Sequence, residues 1–171
     1  MASDNQKEEY RQVAGIVVIR DKQPQGTSEN GGDDIHSITR KPSEKLFLLV
    51  KKDRADNAWM FPQGGIKKKK KETVAQGALR ELYEECGDDL KVALIDAEPA
   101  CSYQYRYPAH FIQKKKRNFA GSQVHFVRSN WLSGQCKPDG VEIVDFAWLT
   151  RSEVMEFVST DFKLAIDSLI Q

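Results

Sequence analysis

The stretch GGIKKKKKETVAQGALRELYEECGDD, residues 64–89, decides the fold. Thr73, followed three positions later by Gln76, fits a capping box in which each side chain satisfies the other's unpaired backbone amide. From there Val74, Ala78, Leu79, Leu82 and Cys86 recur at helical spacing and form one apolar face. Gly87 is placed to end the helix in a left-handed turn, and Gly77 costs it about 1 kcal/mol relative to alanine. Glu81, Glu84 and Glu85 stand at i, i+3 and i+4, so their carboxylates share a face. They crowd the last turn, where the helix dipole is negative, and something positive must offset them. A hard divalent ion, Mg²⁺ or Mn²⁺, suits carboxylate oxygens and substrate phosphates. The other reading is a solvated charged face neutralised by Arg80 and nearby lysines.

Working outward, residues 13–20 (VAGIVVIR) and 46–51 read as buried strands, and residues 92–95, 101–107, 123–128 and 144–149 as further strands. Residues 59–61 form a short apolar stop before Pro62 and a turn at Gly64 and Gly65. Residues 21–44 contain QPQGTSENGGDD, loop punctuation with nothing to bury, and are expected to be a flexible surface insertion; residues 1–12 are expected to be a tail. Thr150 and Glu153 form a second capping box opening a helix through Phe157. Thr160 or Asp161 opens a last helix through Leu169. Strands on both sides of a central helix, with helices at the end, indicate an α+β fold, one mixed-sheet domain over residues 13–171.

Charge narrows the function classes. Lysine and arginine number 26 against 25 acidic residues, yet nine of the basic ones lie in two runs, Lys67–Lys71 and Lys114–Arg117. Removing those leaves 17 against 25, a body near −8, so positive charge is local and a generally basic nucleic-acid coat is disfavoured. Lys67, Lys68, Lys69, Lys70 and Lys71 either contact phosphate or RNA backbone or form a solvated loop; the second run divides the same way between rRNA phosphate and solubility. Three cysteines without C-x-x-C spacing give neither a disulfide framework nor a zinc site. No apolar run approaches the roughly 18 residues of a membrane span, and no membrane partner is expected. Residues 1–12 mix Lys7 and Arg11 with Asp4, Glu8 and Glu9, unlike a signal or transit peptide, so an organelle address is expected to be absent from this chain. His110 and His125 are single in sequence and are read as packing or loop residues.

The string R-E-L-Y-E-E-C-G from Arg80 to Gly87, with Glu72 eight positions before Arg80 and glycines before that, resembles a Nudix box, G-x5-E-x7-R-E-U-x-E-E-x-G-U with U apolar. The resemblance implies a Nudix α/β/α sandwich and, for enzymatic members, Mg²⁺-dependent hydrolysis of a nucleoside diphosphate-linked substrate. It implies Glu81 and Glu85 as principal metal ligands, with Glu84 and the carbonyl of Gly64 or Gly65 beside them and Arg80 orienting Glu81. Outside the box, Glu142 is a candidate for the further carboxylate many family enzymes recruit; its other reading is a solvated strand-edge residue. Two departures stand out. Six residues, five of them lysine, separate Gly65 from Glu72 where the pattern has five, and Asp88 takes the final apolar position.

Other segments, RKPSEKLFLLVKK (40–52), WMFPQ (59–63), EPACSYQYRYP (98–108), GSQVHFVRSNWLSGQ (121–135) and VDFAWLTRSEVMEF (144–157), together resemble the Nudix-fold proteins of the mitochondrial ribosome's large subunit. That resemblance implies a structural component of the ribosome, with mitochondrial ribosomal proteins and rRNA as partners, a mitochondrial location, and a metal-binding box retained. The alternative it competes with is an active, cytoplasmic pyrophosphohydrolase acting on a nucleoside diphosphate-linked compound or on the capped or 5′-triphosphorylated end of RNA. The aromatic residues of these segments, Tyr103, Tyr105, Tyr107, Phe126, Trp131, Phe146 and Trp148, alternate as core strands do.

Overall fold

A computed structural model describes residues 9–27, 33–53, 58–107 and 119–171. Its strands are β1 Tyr10–Arg20, β2 Leu46–Lys52, β3 Trp59–Met60, β4 Gln63–Gly65, β5 Lys91–Leu94, β6 Cys101–Arg106, β7 Gly121–Ser133 and β8 Ile143–Leu149. Its helices are α1 Val74–Cys86, α2 Arg151–Phe157 and α3 Thr160–Ile166, with short 3-10 turns at Lys68–Lys70 and Asp167–Ile170. One mixed sheet runs β3-β2-β1-β7-β5, with β4 on β1, β6 on β7 and β8 on β2. The central pair, β1 and β7, is parallel from Tyr10 opposite Gly121 to Ile19 opposite Asn130; the other pairings are antiparallel.

Period-two alternation sends β1's apolar residues to two cores, one on each face of the sheet. Val13, Val17 and Ile19 join Phe47, Leu49 and Phe126 beneath α2 and α3, through Val154, Val158 and Ile166. Ala14, Ile16 and Val18 join Leu46, Leu48, Val50 and Trp148 beneath α1, through Ala78, Leu82 and Cys86. The layers are therefore helix, sheet, helix. Gly15 is a glycine because Phe126 lies over it: a Cβ there would stand 2.6 Å from the ring. No described helix is long and apolar enough to cross a membrane.

Both capping boxes are formed, at Thr73 with Gln76 and at Thr150 with Glu153, each stabilising its helix start by about 1 kcal/mol. Several expected boundaries differ. β1 begins at Tyr10, so residues 10–12 belong to the sheet; their pairing with β7 is invisible to periodicity. β7 runs from 121 to 133 because β6 covers the first half of one edge and β5 the second. The expected turn at Gly64 and Gly65 contains β4, paired with Val13–Gly15 of β1. Gly87 has φ +83° but ψ 166°, an extended glycine conformation instead of the left-handed turn. The last helix ends at Ile166 and tightens into a 3-10 turn.

The second half of the 21–44 insertion is packed, not loose. Arg20, 1% exposed, donates to the carbonyls of Ile38, Arg40, Lys41 and Glu44. Arg40, also 1% exposed, makes a bidentate pair with Glu153 at 2.8 and 2.9 Å and donates to the Trp148 carbonyl. The Trp148 amide in turn donates to the Ile35 carbonyl, and His36 bonds Asp145. Two buried guanidiniums thus fold the segment against β8 and α2. His110 and the run Lys114–Arg117 lie outside the described residues.

Candidate active site

α1 turns Glu81 and Glu85 inward beside Ala78, Leu82 and Cys86, with Arg80 and Glu84 further toward solvent. Arg80 is the hub: Nε and Nη2 donate to both Glu72 oxygens at 2.8 and 2.9 Å, Nη2 to the Gly65 carbonyl at 2.8 Å, and Nη1 to Glu81 at 2.8 Å. The Arg80 hydrogen bonds, together with the Lys67 amide, hold the Glu72 carboxyl down at about 2. Glu72 is paired with Arg80 across the long lysine loop, which forms the 3-10 turn Lys68–Lys70 and a left-handed Lys71. Gly77, costly within a helix, gives room to this network: a Cβ there would sit 2.8 Å from Glu72 Oε1. The Gly65 carbonyl, expected beside the metal ligands, accepts from Arg80. Gly64 instead makes the close approach, since a Cβ there would fall 2.1 Å from the Glu81 carboxyl carbon.

The three box glutamates separate. Glu84 is exposed and shares Arg80 at 3.3 Å, outside the cluster the other two form. Glu81, 7% exposed, and Glu85, fully buried, meet Glu142, with one oxygen of each lying within 4.8 Å of the others. Glu142 reaches them because Asp139 Oδ1 accepts from the amides of Val141, Glu142 and Ile143, while the Asp139 amide donates to the Glu85 carbonyl. The 139–143 loop is thereby fastened to the end of α1. Glu142, which sequence leaves open to reading as a solvated edge residue, is exposed yet aimed at this cluster.

One further side chain joins the site from β2. Lys52, at the end of β2 and 9% exposed, places Nζ 2.5 Å from Glu85 Oε1 and 3.3 Å from the Gln63 carbonyl. Its direction continues the alternation of β2, which turns Leu46, Leu48, Val50 and then Lys52 toward α1; the irregularity in the pairing lies on β8, which passes from Asp145 to Ile143 opposite Lys51 and Lys52. Glu85 Oε2 is buried with no partner among the described residues, as is Gln63 Oε1. Burial pushes the Glu85 carboxyl up to about 7, against the pull of Lys52 and with the push of Glu81 and Glu142. Three carboxylates with one ammonium and an orphaned buried oxygen fit a hard divalent cation.

Two clefts adjoin this site through the ends of β4. Gln63 lines one, of about 530 Å³, walled by Trp59, Tyr103, Tyr105, Phe157 and Phe162. Gly65 lines the other, of about 540 Å³, with Arg11, Phe119 and Lys67–Lys70. The lysines thus border a concave surface, with Arg11 beside Gly65. Lys71, at the run's end, turns left-handed into Glu72. His125 lies inside β7, bonded to Ser102 and Gln12.

Comparison with known proteins agrees with this geometry. The NUDIX domain model matches residues 34–168. The chain belongs to the Nudix family. An RNA pyrophosphohydrolase of Rickettsia canadensis is 37% identical over 118 residues, covering 66% of this chain and 71% of that protein. One from a Marinomonas strain is 29% identical over 142 residues, covering 75% and 84%. With the RNA pyrophosphohydrolase of Campylobacter jejuni the identity is 38% over 73 residues, and the match spans less than half of that relative, 44%. Among solved structures, a Caenorhabditis elegans Ap4A hydrolase complex superposes with TM-score 0.60 at 14% identity, covering 92% of this chain and 94% of that one. The Escherichia coli dihydroneopterin triphosphate pyrophosphohydrolase gives 0.60 and 14%, covering 94% and 97%. These structural likenesses establish the Nudix fold. The relatives named here carry hydrolase names, and none of them is a ribosomal protein.

Proposed function

We propose that this Nudix protein is a Mg²⁺- or Mn²⁺-dependent pyrophosphohydrolase acting on the phosphorylated 5′ end of RNA. The observation that carries the reading is the convergence of Glu81, Glu85 and Glu142 around an unpartnered buried oxygen. These three residues would hold the ion, which supplies charge neutralisation on a diphosphate and an activated water. Arg80 fixes the Glu81 carboxylate and ties Glu72 and the lysine loop to α1. The aromatic cleft beyond Gln63 offers Trp59 and Tyr105 as surfaces on which a terminal base can stack. On the other side of β4, Arg11 and Lys67–Lys70 offer positive charge to further phosphates, which suits a polynucleotide better than a free nucleotide. The RNA pyrophosphohydrolase names of the sequence relatives support the same substrate class.

Incubating the purified protein and Mg²⁺ with 5′-triphosphorylated RNA should release pyrophosphate or phosphate. Glu85→Gln should lower turnover by orders of magnitude without loss of fold, since it withdraws one carboxylate from the ion. Absence of release from folded, metal-saturated protein would remove this reading.

A second reading, the structural component of the mitochondrial large ribosomal subunit, rests on the chain-wide sequence resemblance of residues 40–157 alone. Co-sedimentation of the protein with mitochondrial large subunits tests it.

A further inference from the structure

We infer that Lys52 is a built-in cation that competes with a divalent ion for the Glu81, Glu85 and Glu142 cluster. The inference rests on the metal-site reading and adds to it how the site is gated. The ammonium lies 2.5 Å from Glu85 Oε1, and Glu85 is the one member of the cluster with no exposure at all. A divalent ion bound by one oxygen from each of three carboxylates that lie within 4.8 Å of one another must share that space with Nζ or displace it. Two dispositions of the same side chain follow. With no ion present, Lys52 offsets the repulsion among the three carboxylates and keeps the end of β2 joined to α1. With an ion present, the ammonium withdraws from Glu85 along its flexible four-carbon stem.

Lys52 is well placed for such an exchange. Its other polar contact, the Gln63 carbonyl, is long at 3.3 Å and lies on β4, next to the aromatic cleft. The Lys52 amide is held independently by the Ala58 carbonyl, so the side chain can move while the backbone stays. Gln63 Oε1, buried without a partner and on the same residue, is an acceptor available to a displaced ammonium. Metal affinity in this chain is therefore set by the difference between two cations competing for one carboxylate, and not by the carboxylates alone.

The test is Mn²⁺ binding to full-length protein, followed by electron paramagnetic resonance and by the metal-dependent rise in Tm, for wild type and Lys52→Gln. Removing the competing charge should tighten Mn²⁺ binding at least about tenfold, equivalent to about 1.4 kcal/mol of coupling. It should also lower the Tm of the metal-free protein. Binding by Lys52→Gln alone, with none in wild type, supports the inference in its strongest form. Equal affinities would overturn the competition while leaving the metal site intact; no Mn²⁺ binding by either protein would overturn both. Should Lys52→Gln fail to fold without metal, the ammonium resonance of Lys52 in ¹⁵N-lysine-labelled wild type gives the same answer. Its displacement during a Mg²⁺ titration supports exchange, and an unmoved resonance at Mg²⁺ levels that saturate the Tm shift overturns it.

Discussion

Two charge clusters in this molecule each set carboxylates against one buried basic side chain and end in opposite states. Around Arg40, one guanidinium meets Glu153 in a bidentate pair, Asp33 and a backbone carbonyl, and both Glu153 oxygens are engaged. Around Glu85, three carboxylates face one ammonium, and an oxygen buried in the protein interior has nothing to accept from among the described residues. A completed cluster of the first kind fastens a loop. An incomplete one of the second kind costs stability unless a further cation arrives. Incompleteness, more than the presence of glutamates, is what separates a site from a clamp in this fold.

Breaking the clamp should produce the largest effect on stability. Arg40→Met removes the partner of Glu153 and the donor to the Trp148 carbonyl, and should lower unfolding free energy by about 2–3 kcal/mol, below the cost of breaking a fully buried pair because Glu153 is 25% exposed. Denaturant unfolding measures this. The metal-dependent rise in Tm should survive, because the clamp and the carboxylate cluster share no residue; loss of both together would mean the two regions are one unit.

Acid sharpens the same contrast at smaller amplitude. Hydrogen bonding to Arg40 depresses the Glu153 carboxyl from the usual 4.5 to about 2, and Arg80 does the same for Glu72. Because the folded values lie below the unfolded ones, the stability these groups contribute is fully present above about pH 4.5. It is lost as pH falls through about 2. Glu153→Gln should therefore flatten the fall in Tm between those limits. A Tm profile identical to wild type over that window would show that Arg40 does not stabilise the charged form.

The lysine run gives the smallest effect. Replacing Lys67–Lys71 with serine should leave Tm nearly unchanged, since the residues of its 3-10 turn are exposed. It should reduce the salt dependence of RNA binding by about 0.7 in log–log slope for each single-strand phosphate that a lysine no longer neutralises. An unchanged slope would return the run to a solvated loop.

What can be read from the sequence divides along the same line. Helix α1, both capping boxes and the alternating core of β1 and β2 follow from local chemistry, and local chemistry is written in consecutive residues. The meeting of Glu142 with Glu85 is not, because it depends on Asp139 folding one loop onto the end of a distant helix. Lys52 is hidden for a different reason. In LFLLVKK both lysines look like a solvated strand end, yet β2 runs on through Lys52, and its alternation puts that lysine on the face of Leu46, Leu48 and Val50, toward α1. The packing of the 33–44 segment depends on Arg20 and Arg40, whose burial is offset by carbonyls and a carboxylate that no spacing rule connects to them. Helical spacing brings Glu81 and Glu85 together; tertiary structure decides that Glu84 stands apart and Glu142 joins.

The claim that the Glu85 cluster is incomplete because it awaits a cation is tested most directly by anomalous diffraction from Mn²⁺-saturated crystals. A manganese peak is expected within bonding distance of Glu81, Glu85 and Glu142, with Lys52 Nζ withdrawn from Glu85. A structure in which Mn²⁺ saturates no site there, and Lys52 keeps its contact with Glu85 Oε1 at full metal concentration, would contradict it.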